Sequence, residues 1–305
     1  MKDLISIDSL SRDEAFEIFE LADRYLKDPT IDNEHLASKT LVNFFFENST
    51  RTRMSFEIAA KRLGAKVVNM DVSLSSLKKG ESIIDTAKTI NAMRPDFVAI
   101  RHNSGGIVEL LKKYLADSAI INAGDGKNEH PSQALLDAFT IKRVKGGFEG
   151  LKVVICGDVL HSRVARSNIK LLRKLGCEVG VVSPPTLVTK DYGVWLKDRW
   201  GVDLNCNLKD GIKDADVVMM LRIQQERMSG CHIPSLTEYF RFYGLNHDNI
   251  KLAKEDVTVM HPGPINRDVE ISSALADDKK YSVILDQVES GVLIRQAILR
   301  WLLAE

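Results

Sequence analysis

Short apolar runs alternate with amphipathic stretches along nearly the whole chain. Leu41–Phe46 and the segments 66–70, 97–101 and 119–123 read as strands, and the segments 52–63, 82–93 and 106–115 between them read as helices. Gly146-Gly147-Phe148-Glu149-Gly150 interrupts this rhythm. It resumes with strand-like runs at Lys152–Cys156, Glu178–Val182, Val217–Leu221 and Val257–Met260, again separated by helical patterns. Before the first strand, Ser11-Arg12-Asp13-Glu14 has the form of a capping box, and Ala15, Phe16, Phe19, Ala22 and Leu26 follow at near-helical spacing. Pro131 to about Lys145 reads as a helix with proline in its first turn, a connector between two repeats, and Gly291–Leu303 as a closing amphipathic helix. A β-α-β-α alternation demands a parallel sheet covered on both faces. The predicted fold class is therefore α/β, with two tandem doubly wound parallel-sheet domains.

Composition adds limits rather than detail. A length of 305 residues suits two domains. Apolar residues make up 44% and charged residues 28%, an ordinary globular mixture. The formal net charge is zero and no long basic block occurs, which argues against a general nucleic-acid binder while leaving room for a local cationic pocket. No apolar run reaches membrane-spanning length, and Met1-Lys2-Asp3-Leu4-Ile5-Ser6 lacks the apolar core of a signal peptide, so a cytoplasmic location is expected. Cys156, Cys177, Cys206 and Cys231 are too scattered for a C-x-x-C metal site and too few for a disulfide framework. Cys156 and Cys177 read as small buried apolar residues, and Cys231 beside His232 does not amount to a metal site.

The candidate chemistry gathers at strand ends. Phe46-Glu47-Asn48-Ser49-Thr50-Arg51-Thr52-Arg53 crowds hydroxyls and guanidinium groups where the first strand passes into a helix. The first turn of a helix has unpaired N–H groups and the positive end of the dipole, so these donors suit a tetrahedral dianion. Arg101-His102 follows the third strand, Asn128-Glu129-His130-Pro131-Ser132-Gln133 the fourth, and His261-Pro262-Gly263-Pro264 a strand of the second repeat. Each has an ordinary explanation: a surface arginine, a capping histidine, a solvent-facing glutamine, a rigid proline loop. Ser75-Ser76-Leu77-Lys78-Lys79-Gly80-Glu81 equally reads as a solvated loop. Open α/β sheets bind ligands beyond the carboxyl ends of their strands, however, and four polar clusters placed there point to one shared active site in the cleft between the domains.

Taken together, these segments resemble the aspartate carbamoyltransferase family, in its catalytic chain. The resemblance covers essentially the whole chain in the family's order. Its most specific pieces are Ser49-Thr50-Arg51-Thr52-Arg53, His130-Pro131-Ser132-Gln133, Arg222-Ile223-Gln224 and His261-Pro262-Gly263-Pro264-Ile265-Asn266-Arg267. It implies transfer of the carbamoyl group from carbamoyl phosphate to the amine of L-aspartate, giving N-carbamoyl-L-aspartate and phosphate, an early step of pyrimidine biosynthesis. Ser49, Thr50, Arg51, Thr52 and Arg101 are then expected to hold the phosphate. Thr52, Arg101 and His130 donate to the carbonyl oxygen as it gains charge, while Gln133 and the backbone carbonyls of Gly263 and Pro264 hold the carbamoyl NH2. Many relatives carry Leu or Ala where Gly263 stands, a departure that a backbone contact tolerates. Arg51, Thr52, Arg101 and His130 are the expected catalytic residues.

Arg163, Arg222 and Gln224 match the family's aspartate-binding residues, and bidentate Arg–carboxylate contacts suit a dicarboxylate. Lys79, with Ser75 or Ser76, matches a loop given by a neighbouring subunit, which implies a homotrimer with shared active sites. The resemblance implies neither a cofactor nor a metal. Relatives occur as bare trimers, with regulatory chains, or beside dihydroorotase. The implied domains are a carbamoyl phosphate-binding domain over 1–135 and 289–305 and an aspartate-binding domain over 136–288. Arg53 is left as a structural or interface charge.

Three other readings part from this sequence at particular residues. Ornithine carbamoyltransferases share the donor-binding pieces but typically carry a His-Cys-Leu-Pro motif where this chain has His261-Pro262-Gly263-Pro264. A nucleotide-linked dehydrogenase fits Val153–Asp158 followed by a helix, but Gly157 is followed by Asp158, Val159, Leu160 and His161, without a G-x-G-x-x-G turn. A non-catalytic scaffold of the same fold is opposed by the complete set of site residues.

Overall fold

The computed structural model describes residues 2–71, 80–223 and 235–303. The chain divides into two compact units, residues 1–139 with 288–305, and residues 140–287. The first unit runs α1 (Arg12–Lys27), β1 (Thr40–Phe45), α2 (Thr50–Arg62), β2 (Lys66–Asp71), α3 (Ile83–Ala92), β3 (Phe97–His102), α4 (Ile107–Lys112), β4 (Ala119–Asp125) and α5 (Pro131–Lys145). There follow β5 (Lys152–Cys156), α6 (Arg163–Leu175), β6 (Glu178–Val182), α7 (Lys190–Trp200), β7 (Asp203–Asn205), α8 (Leu208–Gly211), β8 (Val217–Met220), α9 (Leu236–Tyr243), β9 (Thr258–Met260), α10 (Ser273–Ala276) and α11 (Ile284–Trp301). The divisions between units fall inside α5 and α11.

All ladders among the described residues are parallel, as the alternating pattern requires. The first sheet has the order β2-β1-β3-β4 and the second β7-β6-β5-β8-β9. Each order reverses once, at β1/β3 in the first sheet and at β5/β8 in the second. At such a switch point the connections leave in opposite directions and open a crevice at the strand ends. The central strands are buried on both faces, and the edge strands β2 and β7 are partly exposed. In the first unit Val42, Phe44, Val98, Ile100 and Ile120 pack with Ala87 and Ile90 of α3 and Val108 and Leu111 of α4. In the second, Val154, Cys156, Val218 and Met220 pack with Leu208 and Ile212 around α8.

The local expectations are largely met, with instructive differences. Both arms of the capping box form: the Glu14 N–H donates to Ser11 Oγ at 3.1 Å, and the Ser11 N–H donates to Glu14 Oε2 at 2.9 Å. The buried stripe of α1 is Ala15, Ile18, Phe19, Ala22 and Tyr25, whereas Leu26, although four residues after Ala22, is exposed in the last turn of the helix. The closing helix begins at Ile284 rather than Gly291 and is not amphipathic. From Leu293 to Leu299 it is buried on every side, Arg295 and Gln296 included. Strand β7, three residues long, lay below what periodicity resolves. Cys156 and Cys177 are buried, as their apolar contexts indicated, and burial pushes the Cys177 thiol up to about 12.

Candidate active site

In the first unit three adjacent strands deliver the expected residues. Strand β1 ends at Phe45, and Ser49-Thr50-Arg51-Thr52 begin α2. Beside Phe45 in the ladder stands Arg101 of β3, so the two segments meet at the β1/β3 switch point. Arg101 and His102 are thus the last residues of β3 rather than a loop after it. Strand β4, next to β3, leads to His130 and Gln133 at the start of α5.

Ser49 caps α2 in position only, since its side chain makes no capping hydrogen bond. The N-cap side chains of α1, α3, α6, α7, α8, α9 and α10 all accept one. Helices α2, α5 and α6 have no acidic residue in the first turn, a trait shared by the four-residue α10. Asp or Glu occupies that turn in α1, α3, α4, α7 and α9, where it offsets the positive end of the dipole. The three helices that begin with expected site residues thus carry no side-chain anion at their positive ends. Thr52 is buried, Thr50 and Arg51 are exposed, and the Ser55 hydroxyl is engaged with the Arg51 and Thr52 carbonyls, at 2.7 and 3.0 Å.

Arg101 is held from two sides. Its Nη1 donates to the Ala123 carbonyl at 3.1 Å, and its Nε lies 3.1 Å from Glu47 Oε2. A register shift between β3 and β4 at Ile100/His102 accompanies this reach across the sheet. Glu47 was not singled out in the sequence. The His102 ring lies 4.7 Å from that of Phe46, and its Nδ1 accepts the Ser104 N–H at 2.9 Å. Burial pulls the His102 pKa below its ordinary value, against the opposing carboxylates of Glu47 and Asp125.

His130 is buried, with Nδ1 at 3.4 Å from Ser132 Oγ. Gln133, also buried, donates from Nε2 to Asp137 Oδ1 at 3.0 Å. That bond fixes the amide so that Oε1 is its remaining acceptor. Asp137, itself wholly buried, is a second residue that the sequence did not mark.

The second unit repeats the plan at its own switch point. Strand β5 ends at Cys156, and Arg163 opens α6 behind its N-cap Ser162, whose Oγ accepts the Ala165 N–H at 3.2 Å. Arg163 is buried and Arg222, just beyond β8, is half-buried. Since β5 and β8 are neighbours, both arginines stand at adjacent strand ends. Strand β9 beside β8 leads into His261-Pro262-Gly263-Pro264. The Gly263 N–H donates to His261 Nδ1 at 2.8 Å, which puts the histidine proton on Nε2, 3.1 Å from Glu270 Oε1. That carboxylate oxygen also accepts the Asn266 N–H at 2.7 Å, so a buried His–Glu pair braces the whole turn. Ser75, Ser76, Lys79, Gln224, Cys231 and His232 lie outside the described residues. Among the described residues no group of three His, Cys, Asp or Glu is placed to hold a metal ion, and no helix is long and apolar enough to cross a membrane.

Comparison with known proteins follows the same division. Residues 2–143 match the family model described as aspartate/ornithine carbamoyltransferase, carbamoyl-P binding domain, and residues 149–302 match the Asp/Orn binding domain of the same family. The chain is 53% identical to the aspartate carbamoyltransferase catalytic subunit of Methylorubrum populi, over 97% of this chain and 93% of that one. It is 54% identical to that of Rhodospirillum centenum, over 97% and 92%. Among solved structures it is similar to aspartate transcarbamoylase from Trypanosoma cruzi in complex with carbamoyl phosphate and aspartate, with a TM-score of 0.86 and 30% identity, covering 100% of this chain and 97% of that one. The ornithine carbamoyltransferase from Pyrococcus furiosus is also similar, with a TM-score of 0.86 and 29% identity over 98% and 96%.

Proposed function

This chain belongs to the aspartate/ornithine carbamoyltransferase family, and from that premise we propose how its residues divide the work. It transfers the carbamoyl group of carbamoyl phosphate to the amine of L-aspartate, giving N-carbamoyl-L-aspartate and phosphate. The observation that carries the assignment of residues is the coincidence of both switch points with the expected sets: Ser49–Thr52 and Arg101 at β1/β3, Arg163 and Arg222 at β5/β8.

In this reading the start of α2 is the phosphate cradle. Ser49 keeps its hydroxyl for the ligand, Thr50 and Thr52 add N–H and hydroxyl donors, and Arg51 supplies a guanidinium fork. Glu47 and the Ala123 carbonyl hold Arg101 so that it serves both the phosphate and the carbamoyl carbonyl. His130 carries its proton on Nε2, with the Ser132 hydroxyl turned to Nδ1, and with Thr52 and Arg101 it stabilises the carbonyl oxygen. Asp137 turns Gln133 so that Oε1 accepts from the carbamoyl NH2, and the Gly263 and Pro264 carbonyls accept from the same group. Arg163, Arg222 and Gln224 bind the two aspartate carboxylates. The uncharged amine then attacks the carbonyl carbon. A C–N bond forms, the bond from carbon to the phosphate oxygen breaks, and the departing phosphate takes the amine proton. Orientation and charge stabilisation supply the acceleration without a covalent intermediate.

The reading extends to a cytoplasmic homotrimer serving pyrimidine biosynthesis, with Ser75 and Lys79 entering from a neighbouring subunit. Met54 and Ile58 on α2 and Val68 on the edge strand β2 are exposed apolar side chains of the kind a second copy covers. Mixed oligomers of Arg51→Ala and Lys79→Ala chains are expected to regain activity, and no recovery would remove the shared site. An ornithine-accepting enzyme is the second reading, favoured only by the likeness to the Pyrococcus furiosus protein. Supplying carbamoyl phosphate with either aspartate or ornithine and assaying the ureido product decides between them. Product is expected with aspartate, and product from ornithine alone would overturn the reading.

A further inference from the structure

The closing helix contains a charge that none of these roles uses. Arg295, on α11, is 3% exposed, yet it carries a guanidinium. Its Nη1 donates to the Gly291 carbonyl one turn earlier, at 2.9 Å, and its guanidinium carbon lies 5.0 Å from the centre of the Phe56 ring. Burial draws its pKa down to about 10, a shift that Asp137 opposes, so it remains a cation at neutral pH. Gly291 makes room for it, because a Cβ there would come within 2.8 Å of Nη1.

A buried, singly hydrogen-bonded guanidinium is costly, and a hydrophobic side chain would fill the space more cheaply. Its neighbours explain the choice. Phe56 stands four residues after Thr52 on α2, and Asp137 four residues after Gln133 on α5. On a helix, positions i and i+4 lie on one face, one turn apart. The guanidinium therefore packs on Phe56, directly behind Thr52, and lies in the field of the Asp137 carboxylate, directly behind Gln133. Asp137 is also the group that orients Gln133.

We propose that Arg295 is a positioning residue for the carbamoyl phosphate half of the site: it couples α2 to α5 through Phe56 and Asp137 and sets a fixed positive charge behind the phosphate cradle. The proposal rests on the assignment of that cradle above. It goes further in giving the carbamoyl phosphate site a cation that never touches the ligand.

The test is inorganic phosphate binding, followed by calorimetry at fixed ionic strength on the assembled full-length protein, with thermal melting alongside. Arg295→Met keeps the volume and removes the charge. It should weaken phosphate binding on the order of tenfold, as expected for a unit charge about two turns away at an effective dielectric near 20. Arg295→Lys should recover most of that loss. Arg295→Met with Asp137→Asn removes both charges and keeps an acceptor for Gln133. It should melt close to the unaltered protein yet still bind phosphate weakly. Unchanged binding in Arg295→Met, or recovery of phosphate binding together with stability in the double variant, would reduce Arg295 to a filler of the core and overturn the proposal. Should Arg295→Met fail to fold, the double variant and Arg295→Lys decide by the same criteria. An unaltered chain that binds no phosphate would overturn the assignment of the cradle, and this proposal with it.

Discussion

The two units solve one architectural problem with different currencies of charge. Each has a parallel sheet with a single reversal, and each places its polar residues where the reversal opens the strand ends. At the β1/β3 end, helix α2 begins with an uncommitted hydroxyl on Ser49 and an exposed Arg51. At the β5/β8 end, helix α6 is closed by the bond from the Ala165 N–H to Ser162, and its arginine, Arg163, is buried. The difference teaches how a helix start is assigned. In the proposed function, the start of α2 withholds its own cap so that phosphate oxygens replace it. The start of α6 spends its hydroxyl on itself and holds Arg163 rigid for a carboxylate.

The sharpest way to break the comparison is to remove one arginine from each unit. Arg51→Ala should lower kcat/KM by roughly 10²–10³ while melting is unchanged, as when an electrostatic donor to the reacting group is lost. Arg222→Ala should act on the KM for aspartate, by about ten- to hundredfold, the worth of one charge-assisted hydrogen bond. Equal effects on both substrates from either variant would merge the two sets and end the distinction.

A smaller effect tests the turn beneath the second set. Gly157 has φ of +126°, and a Cβ there would stand 3.0 Å from the Leu221 carbonyl on the neighbouring strand end. Gly157→Ala should cost about 1–3 kcal/mol in denaturant unfolding. An unchanged midpoint would show that the β5/β8 crevice yields more readily than its packing implies.

The two serines make the closest contrast. Ser162→Ala removes a cap and should cost about 1 kcal/mol of stability. Ser49→Ala removes none and should leave the melting temperature in place while weakening phosphate binding. A stability loss at Ser49 would show that its hydroxyl is an ordinary cap after all.

The smallest effect concerns His102, whose native pKa lies below the ordinary 6.5. As pH falls through that ordinary value, the unfolded chain takes up a proton that the native chain resists, so stability falls toward acid and is retained above it. His102→Gln should flatten this dependence in melts between about pH 7.5 and about pH 5.5. An unchanged slope would locate the acid sensitivity in other groups.

Much of this was legible in the linear pattern. Strands β5 and β6 match their apolar runs residue for residue, because a strand buried on both faces is a continuous block of Val and Ile bounded by turns. The capping box of α1 and the proline at the start of α5 likewise marked their helices. The family itself was legible because the S-T-R-T-R and H-P-S-Q segments are dense and local. Glu47, Asp137 and Glu270 were not. Each acts by holding another residue, through Arg101, Gln133 and His261 respectively, and no local pattern announces a partner. The missing acidic residues in the first turns of α2, α5 and α6 were visible all along, but they become a signal only against the other helices.

By itself, then, the amino-acid order determined the two α/β units, the positions of their strands and the family. Those features depend on burial periodicity and on short runs of residues, both of which are local. Tertiary structure decided the rest: the strand orders that put Arg101 beside β1 and Arg222 beside β5, and the packing that buries the Arg295 charge against Phe56. A parallel sheet pairs strands that are distant in sequence, and a buried charge is tolerated only where packing supplies its partners. Neither condition can be read from neighbouring residues.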